Sequence, residues 1–385
     1  MKDTHTKTSK TKAGIYIHIP FCKIKCMYCD FYSITEREKD VNNFVEALCT
    51  EISRSPLDGY PWIFNTLFIG GGTPSLLNGN QLESILTTLS KKISFSNLIE
   101  KTIEINPGEA SLEILTDFRS LGVNRVSMGV QSLEEELLTF LTRSHSVNQV
   151  FETFDHARTA GFNNINCDLI YGIPTQTPDI WKRDMNQIIE LGAEHISAYS
   201  LTVEKGTELF HMVNSNKVTM PGESISADWF TLTRSYLSQH QYIPYEISNF
   251  SKPEKECWHN LHYWNIDPYI GFGPSAHSFD GEKRWNNVRS LDQYTKKMEA
   301  ELSPVSSTEV LTTTQKLNER IGFGLRLIGG IDLEKFSETQ KKQFNQNMKK
   351  HRNKWDDYIE KDGKKIKLQE RGFAFADAIA VDLLI

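Results

Sequence analysis

Between residue 14 and about residue 201 the chain repeats one pattern, in which a short run of β-branched and other apolar residues ends in Gly, Pro or a polar residue and a helix-length amphipathic segment follows. The runs are GIYIHI (14–19), TLFIGG (66–71), KTIEIN (101–106), NRVSMG (124–129), NINCDLIYG (164–172) and HISAYSL (195–201). The helical period is carried between them by NNFVEALCTEISR, NQLESILTTLSKKI, SLEILTDFRSLG, NQVFETFDHARTAG and DIWKRDMNQIIELG, with Gly122 placed to end the third. Strands alternating with helices predict a parallel sheet of the α/β class, here a partial, TIM-like (β/α)6 barrel.

Beyond about residue 205 the rhythm stops. The segment NFSKPEKECWHNLHYWNIDPYIGFGPSAHSF is aromatic and polar, and the end of the chain reads as a helix (LEKFSETQKKQFNQNMKKHRNKW), a hairpin turned at Asp362-Gly363 and a short last helix (DAIAVDLLI). The expected organisation is a disordered tail (1–13), the barrel (14–205), a connecting segment (206–300) and a mainly helical, winged-helix-like C-terminal domain (301–385).

Composition narrows the setting. No apolar run approaches the ~20 residues that cross a bilayer, and MKDTHTKTSKTK lacks the apolar stretch of a signal peptide, so a cytoplasmic protein with no integral membrane segment is expected. A net charge of -6 gives no broad basic field for phosphate backbones. Nucleic acid is therefore not an expected partner, and the basic stretch KKQFNQNMKKHRNKW with DGKKIK reads as solvated surface. Six cysteines without a secretory signal do not make a disulfide framework. Cys49 and Cys167 sit in apolar contexts and read as small buried hydrophobes.

The remaining chemistry falls at strand ends, where the βα loops of such a sheet converge. After the first strand come Cys22, Cys26 and Cys29, after the second GGGTP, after the third Glu104-Ile-Asn-Pro107, after the fourth GVQS, and in the fifth Asp168 followed by YGIP. Three thiolates at C-x3-C-x2-C suit one corner of a 4Fe-4S cubane and leave its fourth iron open to a small chelate. Structural zinc is the alternative for a C-x2-C pair, but it calls for a second pair that the sequence lacks.

YIHIPFCKIKCMYCDF resembles the cluster loop of radical S-adenosylmethionine enzymes, in the branch that contains the anaerobic coproporphyrinogen III oxidases and the haem chaperones. GGGTPSLL, EINP, GVQS, DLIYGIP, HISAYSLTVEKGT and HNLHYW extend the likeness over nearly the whole chain. The resemblance implies a 4Fe-4S cluster on Cys22, Cys26 and Cys29 that binds S-adenosylmethionine. It also implies cofactor contacts from Tyr16, Tyr28, Gly72, Thr73, Pro74, Glu104, Gln131, Arg143 and Asp168. Residue chemistry agrees: glycines let backbone approach an ammonium group, Glu104 and Asp168 offer carboxylates to ammonium or ribose hydroxyls, and Arg143 offers a guanidinium to a carboxylate. Tyr28 suits stacking on adenine, with simple shielding of the cluster as its alternative.

Within the branch, the oxidase pattern has a further cysteine two positions after the third ligand, where this chain has Asp30-Phe31, and a substantial extension before the first strand, where about fifteen residues precede Tyr16. Cys257-Trp258-His259-Asn260-Leu261-His262-Tyr263-Trp264 resembles the H-N-x-x-Y-W motif of the haem chaperones. His259 is the candidate axial ligand to haem iron, with His262 and Cys257 as alternatives. The resemblance thus implies a chaperone that binds haem as cargo and passes it to an acceptor protein, with an electron donor such as a flavodoxin or ferredoxin. Oxygen-independent coproporphyrinogen III oxidation is the alternative, and a radical enzyme acting on another substrate is disfavoured by the porphyrin-branch motifs after residue 195. Catalytic residues and any turnover of the radical cofactor stay open.

Overall fold

A computed structural model describes residues 10–385. Each of the six apolar runs forms a strand: β1 (Lys12–Ile19), β2 (Ile63–Gly71), β3 (Glu100–Ile105), β4 (Arg125–Gln131), β5 (Ile165–Tyr171) and β6 (His195–Ser200). They lie side by side in chain order, all parallel, in registers such as Ile15 opposite Leu67 and Asp168 opposite Ser197. Burial on both faces explains why they read as nearly continuous apolar runs and not as alternating ones.

The crossover helices follow the predicted periods closely: α1 (Val41–Arg54), α2 (Gly79–Ser90), α3 (Leu112–Ser120), a short α4 (Glu135–Phe140), α5 (Val147–Thr159) and α6 (Pro178–Leu191). Side-chain caps fix several starts, with Asn78 and Ser146 closing capping boxes and Thr177 capping α6. Gly122 does close α3, at φ +88° with its amide donating to the Arg119 carbonyl. The apolar stripes of these helices and the sheet make one core, which includes Ile15, Ile17, Phe44, Leu86, Phe118, Phe154 and Trp181.

Residues 206–300 depart from the expected connecting segment. After α7 (Glu208–Asn214) and α8 (Glu223–Gln239), β7 (Ile243–Pro244) and β8 (Asn249–Ser251) join the sheet antiparallel beside β6. After α9 (Trp258–Asn265), β9 (Tyr269–Phe272) pairs parallel with β1, and β10 (His277–Phe279), β11 (Lys283–Asn287) and β12 (Val305–Val310) continue antiparallel, with α10 (Leu291–Glu299) between the last two. Among the described residues the sheet has twelve strands. These strands are two to six residues long and carry no clean alternation, which hid them in the sequence. Because β12 pairs with β11, residues 305–310 belong to the sheet and not to the C-terminal unit.

That unit has its own core, with Leu317, Ile321, Phe344, Trp355 and Ile379, built from α11 (Thr313–Gly324), α12 (Glu338–Lys350), α13 (Arg352–Trp355) and α14 (Ala376–Leu383). β13 (Ile331–Asp332), β14 (Ile359–Asp362) and β15 (Lys365–Leu368) form a small sheet, with the expected hairpin at Asp362-Gly363. The unit docks on α8, where Arg234, itself buried, donates to both Glu370 oxygens at 2.6 and 3.0 Å.

The expected tail over residues 1–13 lies outside the described residues as far as residue 9, and Lys12 and Ala13 already belong to β1. No helix of the described residues is long and apolar enough to cross a membrane.

Candidate functional site

A cavity of about 1050 Å3 opens at the carboxyl ends of β1–β6 and runs toward the C-terminal unit. Cys22, Cys26 and Cys29, all half-buried free thiols, stand on its wall. Their loop is closed by backbone: the Cys22 amide donates to the Ile34 carbonyl at 2.9 Å, the Ile34 amide to Pro20 at 2.8 Å, and the Cys29 amide to Cys26 at 3.1 Å. Two side chains that the sequence did not single out hold it further. Lys25 Nζ donates to the Phe31 carbonyl at 2.6 Å and to Ser33 Oγ at 2.8 Å. His18 Nε2 donates to the Tyr32 carbonyl at 2.8 Å, while its Nδ1 accepts from the Tyr16 hydroxyl at 3.0 Å. Burial pushes the His18 pKa down to about 4, so the ring is neutral and this tautomer is the one that satisfies both partners.

Beside the cysteines, Thr73 donates to Cys22 Sγ at 3.4 Å and accepts from Asn106 Nδ2 at 3.0 Å. Arg143 reaches over from behind α4, donating to Cys26 Sγ at 3.4 Å, to the Gly129 carbonyl at 2.9 Å and to Asn106 Oδ1 at 2.6 Å. Asn106 is thus the hub joining the two, and the EINP turn was its signal. Gln131 sits at a break in the β4–β5 register with φ +69°, a strained conformation for a non-glycine residue, and its buried side chain faces the cavity.

Glu104 and Asp168 face the cavity from β3 and β5. Asp168 accepts from Asn166 Nδ2 at 2.8 Å and Ser127 Oγ at 3.2 Å, whereas Glu104 accepts only from the Gly71 amide, at 3.0 Å. Burial first, and then the Asp168 charge, raises the Glu104 pKa to about 7. Burial also raises that of Asp168. The buried Arg125 guanidinium, on the same cavity, offsets both shifts only in part.

The fold and this mouth of cysteines, glycines and carboxylates define a radical SAM protein. Residues 16–188 match the family model of the Radical SAM superfamily and residues 311–375 that of the HemN C-terminal domain. Heme chaperone HemW of Bacillus subtilis is 36% identical over 84% of this chain and 86% of its own length, and Heme chaperone HemW of Lactococcus lactis is 34% identical over 86% and 85%. The mitochondrial Radical S-adenosyl methionine domain-containing protein 1 of Danio rerio is 32% identical over 83% of this chain and 74% of its own. The solved coproporphyrinogen III oxidase (HemN) from Escherichia coli superposes with a TM-score of 0.83 over 97% of this chain and 90% of that one, at 23% identity, a likeness of fold alone. The chain belongs to the HemW family.

Membership brings a 4Fe-4S cluster and S-adenosylmethionine, and the residues fit both. A Cβ on Gly72 would lie 2.6 Å from the Phe21 carbonyl oxygen, backbone that cannot give way, so the turn beside the cysteines needs glycine there, and one on Gly70 would press on the Glu104 carboxylate at 2.8 Å. Arg143 Nε is buried without a partner among the described residues, a donor left for a carboxylate, and Glu104 and Asp168 face the same cavity with carboxyl groups suited to an ammonium or hydroxyl groups. Burial raises the pKa of the Cys22 and Cys29 thiols.

Of the residues expected at the cofactor, Tyr28, Gly72, Thr73, Glu104, Gln131, Arg143 and Asp168 share this cavity with the three cysteines. Tyr16 and Pro74 do not line it: Tyr16 stacks behind Phe68 and bonds to His18, and Pro74 is buried at the start of a single turn (Pro74–Leu76).

The haem candidates lie elsewhere. Helix α9 plugs the opposite, amino-terminal end of the barrel, its first turn held by Glu100, whose carboxylate accepts the Trp258 and His259 amides at 2.8 and 3.1 Å and the Cys257 thiol at 3.4 Å. His259 has Thr66 Oγ1 on Nδ1 and the Tyr263 hydroxyl on Nε2, both at 2.9 Å. His262 has Asp267 and Asn65 on its two nitrogens, both at 2.8 Å. Both rings and Cys257 are buried. The expectation of an axial ligand at His259, His262 or Cys257 therefore meets a structure in which every ring nitrogen is already engaged.

Proposed function

We propose that the chain is a haem chaperone: a protein of the cytoplasm that binds haem as cargo and transfers it to an acceptor protein, with the cluster and S-adenosylmethionine as resident groups. The observation that carries this reading is the 36% identity to a Heme chaperone HemW across 86% of that protein's length. Asp30-Phe31 in place of a further cysteine supports it. When bound and reduced, the cluster supplies the electron that can split the cofactor's carbon–sulfur bond.

The chain's own residues have separate tasks. Cys22, Cys26 and Cys29 hold three irons. Glu104 and Asp168 receive the cofactor's ammonium and hydroxyl groups, Arg143 its carboxylate, and the turn at Gly72-Thr73 lets backbone approach it. Tyr28 covers the site from water beside the cysteines. An electron donor such as a flavodoxin or ferredoxin serves the cluster.

The test is to purify the chain anaerobically with its cluster, titrate it with haem while following the Soret band, and offer the complex to an apo-cytochrome. Haem binding with transfer supports the chaperone. No Soret shift, or efficient conversion of coproporphyrinogen III to protoporphyrinogen, overturns it.

A further inference from the structure

The motif on α9 contains two pairs of residues four apart, and the helix points them in different directions. His259 and Tyr263 form the inward pair, bonded to each other and closing the barrel floor. Asn260 and Trp264 form the other. Asn260 lines the long cavity. Trp264 packs edge-on against Phe323 of α11, with ring centroids 5.9 Å apart, and the Arg326 guanidinium lies 5.4 Å above its ring. Its indole nitrogen is buried without a hydrogen-bond partner. Thus two of the six residues of HNLHYW address the cavity, one directly and one through Arg326.

The cavity has two chemical characters. Around the cysteines it is polar. Between α8 and the segment 370–383 it is apolar, walled by Ala227, Phe230, Ile247, Phe373 and Phe375, with Arg326 the cation on that wall. Phe375 is 40% exposed, and Phe31 on the cluster loop, 66% exposed, faces the same space. At about 1050 Å3 the whole lies at the upper end of the roughly 300–1,000 Å3 of ligand pockets, and its apolar lobe is lined by residues other than those around the cysteines. A flat apolar ligand with an anionic edge matches it: aromatic and alanine side chains for the faces, a planar guanidinium for a carboxylate. Arg326 Nη2 donates to both Asp377 oxygens at 2.7 and 2.8 Å, which aims the rest of the fork.

We propose that this apolar lobe between the barrel and the C-terminal unit is the haem compartment, with haem's carboxylates on Arg326 and Asn260, and that His259 and His262 are positioning residues of the barrel floor. The inference rests on the chaperone reading and adds the place where the cargo lies.

The full chain, reconstituted anaerobically, is titrated with haemin in parallel with Ala227→Trp and Ala378→Trp, which fill the lobe from α8 and from α14. Each should weaken haem binding by about tenfold or more and leave the affinity for S-adenosylmethionine, measured by dialysis, unchanged. Ala378 is exposed, so its variant folds even if the other does not. Arg326→Ala should weaken binding severalfold, and His259→Gln should keep the wild-type Soret position, a readout that a merely structural residue does not move. If wild type binds haem and both Trp variants bind it equally well, the lobe is wrong and the chaperone reading stands. A collapsed Soret band in a folded His259→Gln assigns the iron to the floor and overturns the proposal. If wild type binds no haem, the chaperone reading falls and the lobe with it.

Discussion

Glu104→Gln tests the carboxylate site where its electrostatics give two opposite pH trends. In the ligand-free protein, burial and then Asp168 lift Glu104 from 4.5 to about 7, and the Gly71 amide and the Arg125 charge offset this only in part. A carboxyl whose pKa is raised on folding holds its proton in the native state after the unfolded chain has released it. Stability contributed by this group is therefore largest below about pH 4.5 and is lost as the pH climbs to about 7. The upper bound, at about 1.4 kcal/mol per pKa unit, is about 3 kcal/mol, reduced because the side chain borders an open cavity. Cofactor binding runs the other way. An ammonium needs the carboxylate, so affinity for S-adenosylmethionine should rise with pH through the same window.

Replacing the carboxylate by an amide removes a charge-assisted hydrogen bond of about 1.5–3 kcal/mol, which is a loss of about 10- to 150-fold in affinity. It should also flatten both pH trends. Equilibrium dialysis of the cluster-loaded protein between about pH 5.5 and about pH 8.5 gives the first readout, and thermal melts of the ligand-free protein over the same range give the second. Wild-type affinity that is level or falls with pH, or a variant that binds as tightly as wild type, would refute the assignment of Glu104 to the ammonium.

Arg143→Lys replaces a fork that serves Cys26, Asn106 and Gly129 at once by a single ammonium, and should cost about tenfold or more in cofactor affinity by dialysis. His18→Ala frees the Tyr32 carbonyl and the Tyr16 hydroxyl, about 1–3 kcal/mol for each group left unpaired, and should speed the loss of the cluster's visible absorbance in air without changing the melt of the C-terminal unit. Glu51→Ala strands the Tyr294 hydroxyl, the Gly273 amide and the Asn287 side chain on the β9–β11 flank, and should lower stability by about 3 kcal/mol or more, seen as a drop of several degrees in Tm. Cys26→Ser should leave the fold intact by circular dichroism and sharply reduce bound iron and sulfide.

The barrel was legible because each of its six strands is buried on both faces and each crossover helix keeps its period between capping residues, so local pattern and tertiary role coincide. The flanking strands were not. His277–Phe279 and Asn249–Ser251 are three residues each and owe their conformation to β9 and β6, a contact no local window contains. In the site, the sequence pointed to the cysteines, the glycine turn and the carboxylates, residue types whose chemistry is visible without neighbours. It missed Asn106, Lys25 and His18, which act only through what they touch. It gave no sign of the partners of the motif histidines, since His259 and His262 read alike in a sequence whatever their rings bond to, here Thr66 and Asn65.

The supports of the cysteine loop bear on how a cluster is acquired. A three-cysteine loop that had to order itself around iron would lose about 1–2 kcal/mol of backbone entropy for each residue it fixed. Here the amides of Cys22, Cys29 and Ile34 are already paired, Lys25 holds the Phe31 carbonyl, and His18 holds that of Tyr32. The carbonyls of Phe31 and Tyr32 are tied down while the Phe31 ring stands exposed at the mouth. Rigid backbone beneath a free apolar side chain is what a site needs if it must keep its iron and still meet a large flat ligand from outside. Asp30 and Phe31 thus belong to the rim of the cavity, while the backbone that seats the cysteines is held by Lys25, His18 and its own amides.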